Sequence, residues 1–485
     1  MVRAGELELP PRCGYLLPVG LSVPPVHGSL YRDVAFRSFS PSGAGLMGTL
    51  NVKAGAAAPP RAAWAVPDAL ARGGLTILDQ GMFAGANFLM SILLARWLSP
   101  RWYGALTVAQ ATAVLLGSLH TALLSEPMMV YGSGLFAGRL GRYIPPLLRL
   151  HLLGTAAAAG VVALAAAVLR PWIGQEVSTL LWVLAASLPA MFPLFIVRRA
   201  YYVRNSPGWA AMTSALYLVL TVVAIVALRS AGRLTAPVAM AAGAIISLVV
   251  ASVFLWPLRP RWPAGADMTA RALAPLHWRY GRWAMGISVL IWLSGWACYQ
   301  LLPPWLGLEG VAALRAAMNL VLPAQQVIAA LSLLMLPRLV GALAGGGPGA
   351  AGRIVRRFLW VFVTGAAAYL ALLAWLGPWA MQQLYSGRYP QLGAWVAVAG
   401  LLPLSMAVYT PFEMALRAAQ RVRAAFWCNV ARAALTLGLV VPLGVWLGLK
   451  AVLVGMSAAS AASAALIVVA YAATLGRGGA KAGRP

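Results

Sequence analysis

The sequence predicts an all-α polytopic membrane protein, with about twelve transmembrane helices in two parallel six-helix halves. Three observations predict it. Of the 485 residues, 61% are hydrophobic and 10% charged, whereas soluble domains carry about 25% charged residues; mean hydropathy is +0.80. From residue 74 onward, apolar runs long enough to cross a hydrocarbon core of about 30 Å alternate with short basic loops. These runs fall into two similar sets of six. Barrel strands of about ten alternating residues do not fit runs so long and uniform. An ordinary cytosolic enzyme or DNA-binding protein is excluded, because so apolar a chain cannot bury its surface in a water-soluble fold. The formal charge of +27 then reads as membrane topology and contact with anionic membrane lipid, with no nucleic-acid partner.

Residues 1–70 stand apart, rich in Pro, Gly, Ser and Arg and without a span-length apolar run. They read as a disordered cytoplasmic tail. The run 15–26 is broken by Pro18, Pro24 and Pro25 and does not make a signal peptide. Translation from Met47 is an open reading, and a chain beginning there is expected to insert and function like the longer one. The spans are expected at 74–97, 103–127, 144–169, 179–198, 208–228, 236–257, 282–305, 311–336, 357–380, 391–415, 424–446 and 450–475. Arg315, Asn319, Gln325 and Gln326 interrupt the eighth. With the N-terminus in the cytoplasm, 27 Lys and Arg residues fall on the cytoplasmic side and 7 on the other, so both termini are expected in the cytoplasm.

The longest internal loop, 258–281, is expected to be a cytoplasmic linker between an N-terminal half (71–257) and a C-terminal half (282–475), followed by a short tail (476–485). Leu93-Leu94-x-x-Trp97-Leu98 with Gly104 resembles Leu301-Leu302-x-x-Trp305-Leu306 with Gly310. Pro127 matches Pro337, and Pro193-x5-Arg199-Ala200 matches Pro411-x5-Arg417-Ala418, at offsets of 208, 210 and 218. Six is even, so the duplicated halves share one orientation, as in transporters whose substrate path runs between the halves.

The stretch Asp79-Gln80-Gly81-Met82-Phe83-Ala84-Gly85-Ala86-Asn87-Phe88-Leu89, running into Leu94-Ala95-Arg96-Trp97-Leu98-Ser99-Pro100-Arg101-Trp102-Tyr103-Gly104, resembles the opening of the Wzx-like polysaccharide-biosynthesis flippases. These form the oligosaccharide-flippase branch of the multidrug/oligosaccharidyl-lipid/polysaccharide exporter superfamily. The resemblance implies a MATE-like flippase fold in the bacterial inner membrane. It also implies an undecaprenyl-pyrophosphate-linked oligosaccharide as substrate, moved between leaflets for surface or exopolysaccharide synthesis, with the polysaccharide polymerase and glycosyltransferases as possible partners. A rival signal is Gly134-Leu-Phe-Ala-Gly138-Arg139-Leu140-Gly141-Arg142, which resembles the major facilitator loop motif but has Gly138 where that motif has Asp. A multidrug or small-solute exporter is therefore one alternative. A membrane-embedded polymerase or glycosyltransferase is a second, although it would be expected to carry a large periplasmic loop, and none is visible.

Polar residues deep in a span tend to face the bundle interior or a water-filled path. Arg315, Asn319 and Gln326 lie close to one helix face, as do Asn429, Arg432 and Thr436. Guanidinium suits a pyrophosphate because it forms bidentate, charge-assisted bonds, so Arg432 and Arg315 are candidate substrate contacts; lipid snorkelling or helix-to-helix bonding is the plainer reading. Gln80 and Asn87 on the first span and Gln110 on the second are candidate contacts to sugar hydroxyls, with interhelical bonding as the alternative. Asp79 and Glu126 are expected in structural ion pairs near basic helix ends, and Asp79 is also a candidate ion-coupling carboxylate. Glu413 and Arg417, four apart, are expected to pair. No Walker-type loop, catalytic constellation, metal set or cofactor motif stands out; the histidines and the three cysteines are scattered.

Overall fold

The computed structural model describes residues 66–261 and 268–476; the expectations for 1–65, among them the Met47 start, and for 477–485 lie outside the described residues. The helices are α1 Val66–Trp97; α2 Pro100–Ser133, α3 Leu140–Val168, α4 Arg170–Val203, α5 Pro207–Ser230 and α6 Ala236–Leu258; and α7 Ala270–Gly295. One continuous helical stretch, Pro303–Tyr385, covers 83 residues and contains non-helical backbone at Gly307 and Gly347. At about 1.5 Å per residue it would be far too long for one crossing. Met335 shares a core cluster with Val355, and Ile328 shares one with Phe362, so the chain doubles back at Gly347 into α8 (303–346) and α9 (348–385). Gly347 sits at φ 64 and ψ −166, a conformation reserved for glycine. Then come α10 Val396–Ala418, α11 Val422–Leu447 and α12 Leu449–Thr474.

Ten of the described helices are long and apolar enough to cross a membrane, the doubled one counted once. Arg271, Arg279 and Arg282 dilute the first half of α7. It nevertheless lies lengthwise and antiparallel to α2: His277 Nδ1 is 2.8 Å from Leu123 O, and Trp292 Nε1 donates to Ala111 O at 2.8 Å. These contacts are 15 residues apart on α7, about 22 Å. With α7 and both arms of the doubled helix, the bundle has the twelve expected passes. Residues 270–281, read from sequence as linker, belong to α7, whose helix ends at Gly295.

The packing repeats between halves. α1 packs on α5 as α7 packs on α11, α3 on α4 as α9 on α10, and α4 on α6 as α10 on α12. Leu94 and Leu302, equivalent in the repeated motif, are both buried in one cluster. Two helices carry exposed tryptophans at the separation of a bilayer's two interfaces, where indoles are enriched. Trp427 and Trp446 on α11, and Trp360 and Trp379 on α9, are exposed pairs 19 residues apart, about 28 Å along a helix.

The core forks. At the end bearing the α1–α2 turn, one cluster joins both halves, from Leu94, Tyr103 and Leu106 through Val311–Val321 to Tyr385 and Val452. Towards the basic end it divides. One cluster holds Leu124, Ile144, Val197, Tyr201 and Phe254 of the N half with Leu273 of α7. Separate clusters hold Tyr409, Leu416 and Ile467, or Met335 and Val355, of the C half. The halves are fused at one end; at the other, each packs on itself except for α7, which stays against the N half through Leu273 and His277.

Candidate functional site

The fused end is locked by polar groups as well as apolar ones. Ser91 on α1, Tyr103 on α2, Asn319 on α8 and Tyr385 on α9 converge from both halves. Ser91 Oγ donates to Asn319 Oδ1 at 3.0 Å and lies 2.8 Å from Tyr103 OH. Asn319 Nδ2 donates to Tyr103 OH at 3.1 Å, and Tyr385 OH donates to Ala316 O at 3.0 Å. Asn319 is fully buried, so each bond replaces water that is absent there. Gly104 lets the helices meet: a Cβ there would lie 1.8 Å from Leu308 O. One turn before Asn319, buried Arg315 lies over Trp296, with its guanidinium carbon 4.7 Å from the ring centroid, and 5.9 Å from that of Tyr299. Its Nε has no hydrogen-bond partner. Gln326, two turns further along, is exposed. The stripe read from the sequence therefore starts in the fused core and ends beyond the fork.

Two charged clusters sit towards the basic end, one in each half. In the N half, Asp79 is fully buried. Arg198 grips it in bidentate fashion, Nε to Oδ1 at 3.2 Å and Nη2 to Oδ2 at 2.9 Å. Tyr202 OH donates at 2.5 Å, Gln80 Nε2 at 3.3 Å, and Ser214 Oγ also donates. The Arg198 guanidinium lies 4.0 Å above the Phe83 ring. α1, α4 and α5 are thus tied through one carboxylate. In the C half, Glu413 accepts from Arg417 Nη2 at 2.6 Å and from Asn429 Nδ2 at 3.2 Å, which ties α10 to α11. Arg432, half-buried and one turn beyond Asn429, sits 5.5 Å from the Tyr409 centroid. It lies five residues deeper than Trp427, about 7.5 Å.

Asn87 is exposed and its amide donates to its own helix at Phe83 O, 2.9 Å away; Gln110 is half-buried on α2. The candidate residues therefore divide among three places and do not form one contact set. Sequence reading missed two groupings. Ser91 and Tyr103 face each other across the α1–α2 turn, twelve residues apart, a spacing that a helical hairpin makes legible. His120 and His151 lie 3.0 Å apart, with His151 also 3.0 Å from Pro189 O; no local pattern joins residues on different helices. Glu126 has an unpartnered buried Oε2. No group of three or more metal-ligating side chains occurs among the described residues.

No family model matches the chain, and no curated protein sequence matches it. Solved structures do. An inward-facing multidrug resistance MATE family transporter of the MOP superfamily superposes with a TM-score of 0.71 at 13% identity, covering 82% of this chain and 95% of that one. An outward-facing structure of such a transporter gives 0.61 at 13% identity, over 84% and 96%. The lipid II flippase MurJ, inward closed, gives 0.64 at 12% identity, over 82% and 87%. The chain shares the fold of these solved structures, and it superposes on the inward-facing one better than on the outward-facing one.

Proposed function

We propose that the chain is a flippase for a lipid-linked oligosaccharide carrying an anionic pyrophosphate, of the undecaprenyl-linked class, in a bacterial inner membrane. It works by alternating access between its halves. The observation that carries this reading is the balance of embedded charge. Asp79 and Glu413 are matched by Arg198 and Arg417, and buried Glu126 by the attraction of Arg199, whereas Arg315 and Arg432 rest on aromatic rings. The interior thus keeps a cationic surplus, which favours an anionic cargo over a cationic drug. An intramembrane arginine costs at least about 2.5 kcal/mol on insertion scales unless something offsets it; a passing diphosphate supplies that offset, and the guanidinium fork fits it bidentately.

In this cycle the separated basic-end arms admit the headgroup from the cytoplasmic leaflet, with Arg432, Asn429, Gln80, Asn87, Gln110 and Gln326 as the candidate polar contacts. The lipid tail stays in the bilayer. The halves then part at the Ser91–Tyr103–Asn319–Tyr385 lock, where Arg315 waits, and release the cargo to the other leaflet. Deleting the gene should abolish surface polymer, with lipid-linked intermediate accumulating in the cytoplasmic leaflet. Arg432→Ala should fail to restore polymer at normal protein level, Arg432→Lys should restore it in part, and Arg417→Ala should matter much less. Full complementation by Arg432→Ala would remove the assignment of α11 to the substrate path. Multidrug export is the second reading, favoured by the 0.71 superposition; drug efflux that survives Arg432→Ala would support it.

A further inference from the structure

The N half carries a cavity outside the path between the halves. It has a volume of about 650 Å³ and is lined by Arg204, Trp209, Trp256, Pro257, Arg259 and Pro260, where α5 begins and α6 ends. Among the described residues, two guanidinium groups and two indoles line it, and no acid. Its walls are held in place. Trp209 stacks on Tyr201 with centroids 5.8 Å apart and planes at 11°, and meets Phe254 edge-on at 6.1 Å. Tyr201 OH donates to Phe254 O at 2.6 Å. Arg204 Nη1 donates to Pro257 O at 2.8 Å, which fixes the guanidinium over the α6 terminus. Arg259 adopts the left-handed conformation at φ 49 and ψ 62 and caps the turn, its N–H bonding Trp256 O. The following residue but one is pinned to α3, Arg261 N donating to Gly141 O at 2.7 Å.

Two arginines sharing one cavity repel each other unless an anion lies between them. The tryptophans set its depth: Trp256 is 84% exposed, as befits an indole in the interfacial belt. Exposed apolar side chains lead away from it, Met212 one turn from Trp209 on α5, and Val253, then Val249, below Trp256 on α6. Phosphate-binding groups at headgroup depth above an apolar track match a phospholipid better than a free ion. We propose that this cavity binds the phosphate headgroup of an anionic phospholipid of the leaflet at the basic end, its acyl chains lying along α5 and α6. The site is independent of which cargo the protein moves.

The test titrates the purified, delipidated full chain in detergent with fluorescent phosphatidylglycerol, and with phosphatidylcholine for comparison. Phosphatidylglycerol should bind about tenfold more tightly than phosphatidylcholine. The double variant Arg204→Gln/Arg259→Gln should lose that preference, while Arg229→Gln/Arg233→Gln at the opposite end keeps it. Size-exclusion profile and thermal midpoint report whether the double variant is folded; if it is not, Trp256→Ala, at an exposed side chain, should still weaken binding several-fold. Unchanged phosphatidylglycerol preference in the folded variants would overturn the proposal. Displacement of the probe by millimolar inorganic phosphate would overturn the lipid assignment and leave a free-phosphate site.

Discussion

Replacing Asp79 by Asn strands a buried Arg198 guanidinium and should destabilise the protein by about 3–5 kcal/mol, the usual cost of halving a buried pair. The double change Asp79→Asn/Arg198→Gln should recover part of that loss. The midpoint of fluorescence-detected thermal unfolding in detergent reads both. Normal stability of Asp79→Asn with abolished transport would instead make Asp79 the coupling carboxylate. The aromatic environment of Arg315 leads to a different expectation: Arg315→Met, of similar reach and no charge, should leave the thermal midpoint unchanged or raise it while reducing polymer export at least tenfold. A fall in stability equal to that of Asp79→Asn would show that Arg315 is structural. Both expectations follow from the same contrast, a carboxylate with every lone pair used against a guanidinium whose Nε is unused.

At the scale of helices, Gly104 is the tightest contact between the halves. Val at that position would drive its side chain into the Leu308 carbonyl, so Gly104→Val should force α2 from α8 at the fused end. The expected signature is new thiol labelling of a cysteine placed at Ser91, buried in the parent protein, with helical content unchanged by circular dichroism. Length and apolarity made most elements legible, since a run of about twenty apolar residues has one stable outcome in lipid. α7 was misplaced by twelve residues because its arginines read as a loop; packing against α2 outweighs their polarity. Asn319 was legible as a buried amide, but its partners were not, because Tyr385 lies 66 residues away and only the fold at Gly347 brings it back. Asp79 was expected in an ion pair near a basic helix end, but its partner was not legible, because 119 residues separate it from Arg198.

For the molecule as a whole, the forked core predicts that each half moves as a body and that the fused end is what must open. A Ser91→Cys/Asn319→Cys chain, in a background without Cys13, Cys298 and Cys428, should stop transporting when a short thiol-reactive linker joins the pair, and the singly substituted chains should not. Continued transport after complete linkage would show that the fused end never separates. The paired tryptophans have a further consequence, in terms of membrane elasticity. α9 and α11 both belong to the C half, and each holds an indole at both faces of the bilayer, so that half carries a fixed ruler of about 28 Å. A thicker or thinner bilayer must deform around it or tilt it, at a fraction of a kcal/mol per ångström. Across vesicles of increasing acyl-chain length, the tilt of the C half should therefore pass through a minimum where the hydrocarbon thickness equals the ruler, and it is against this anchored half that the other one moves.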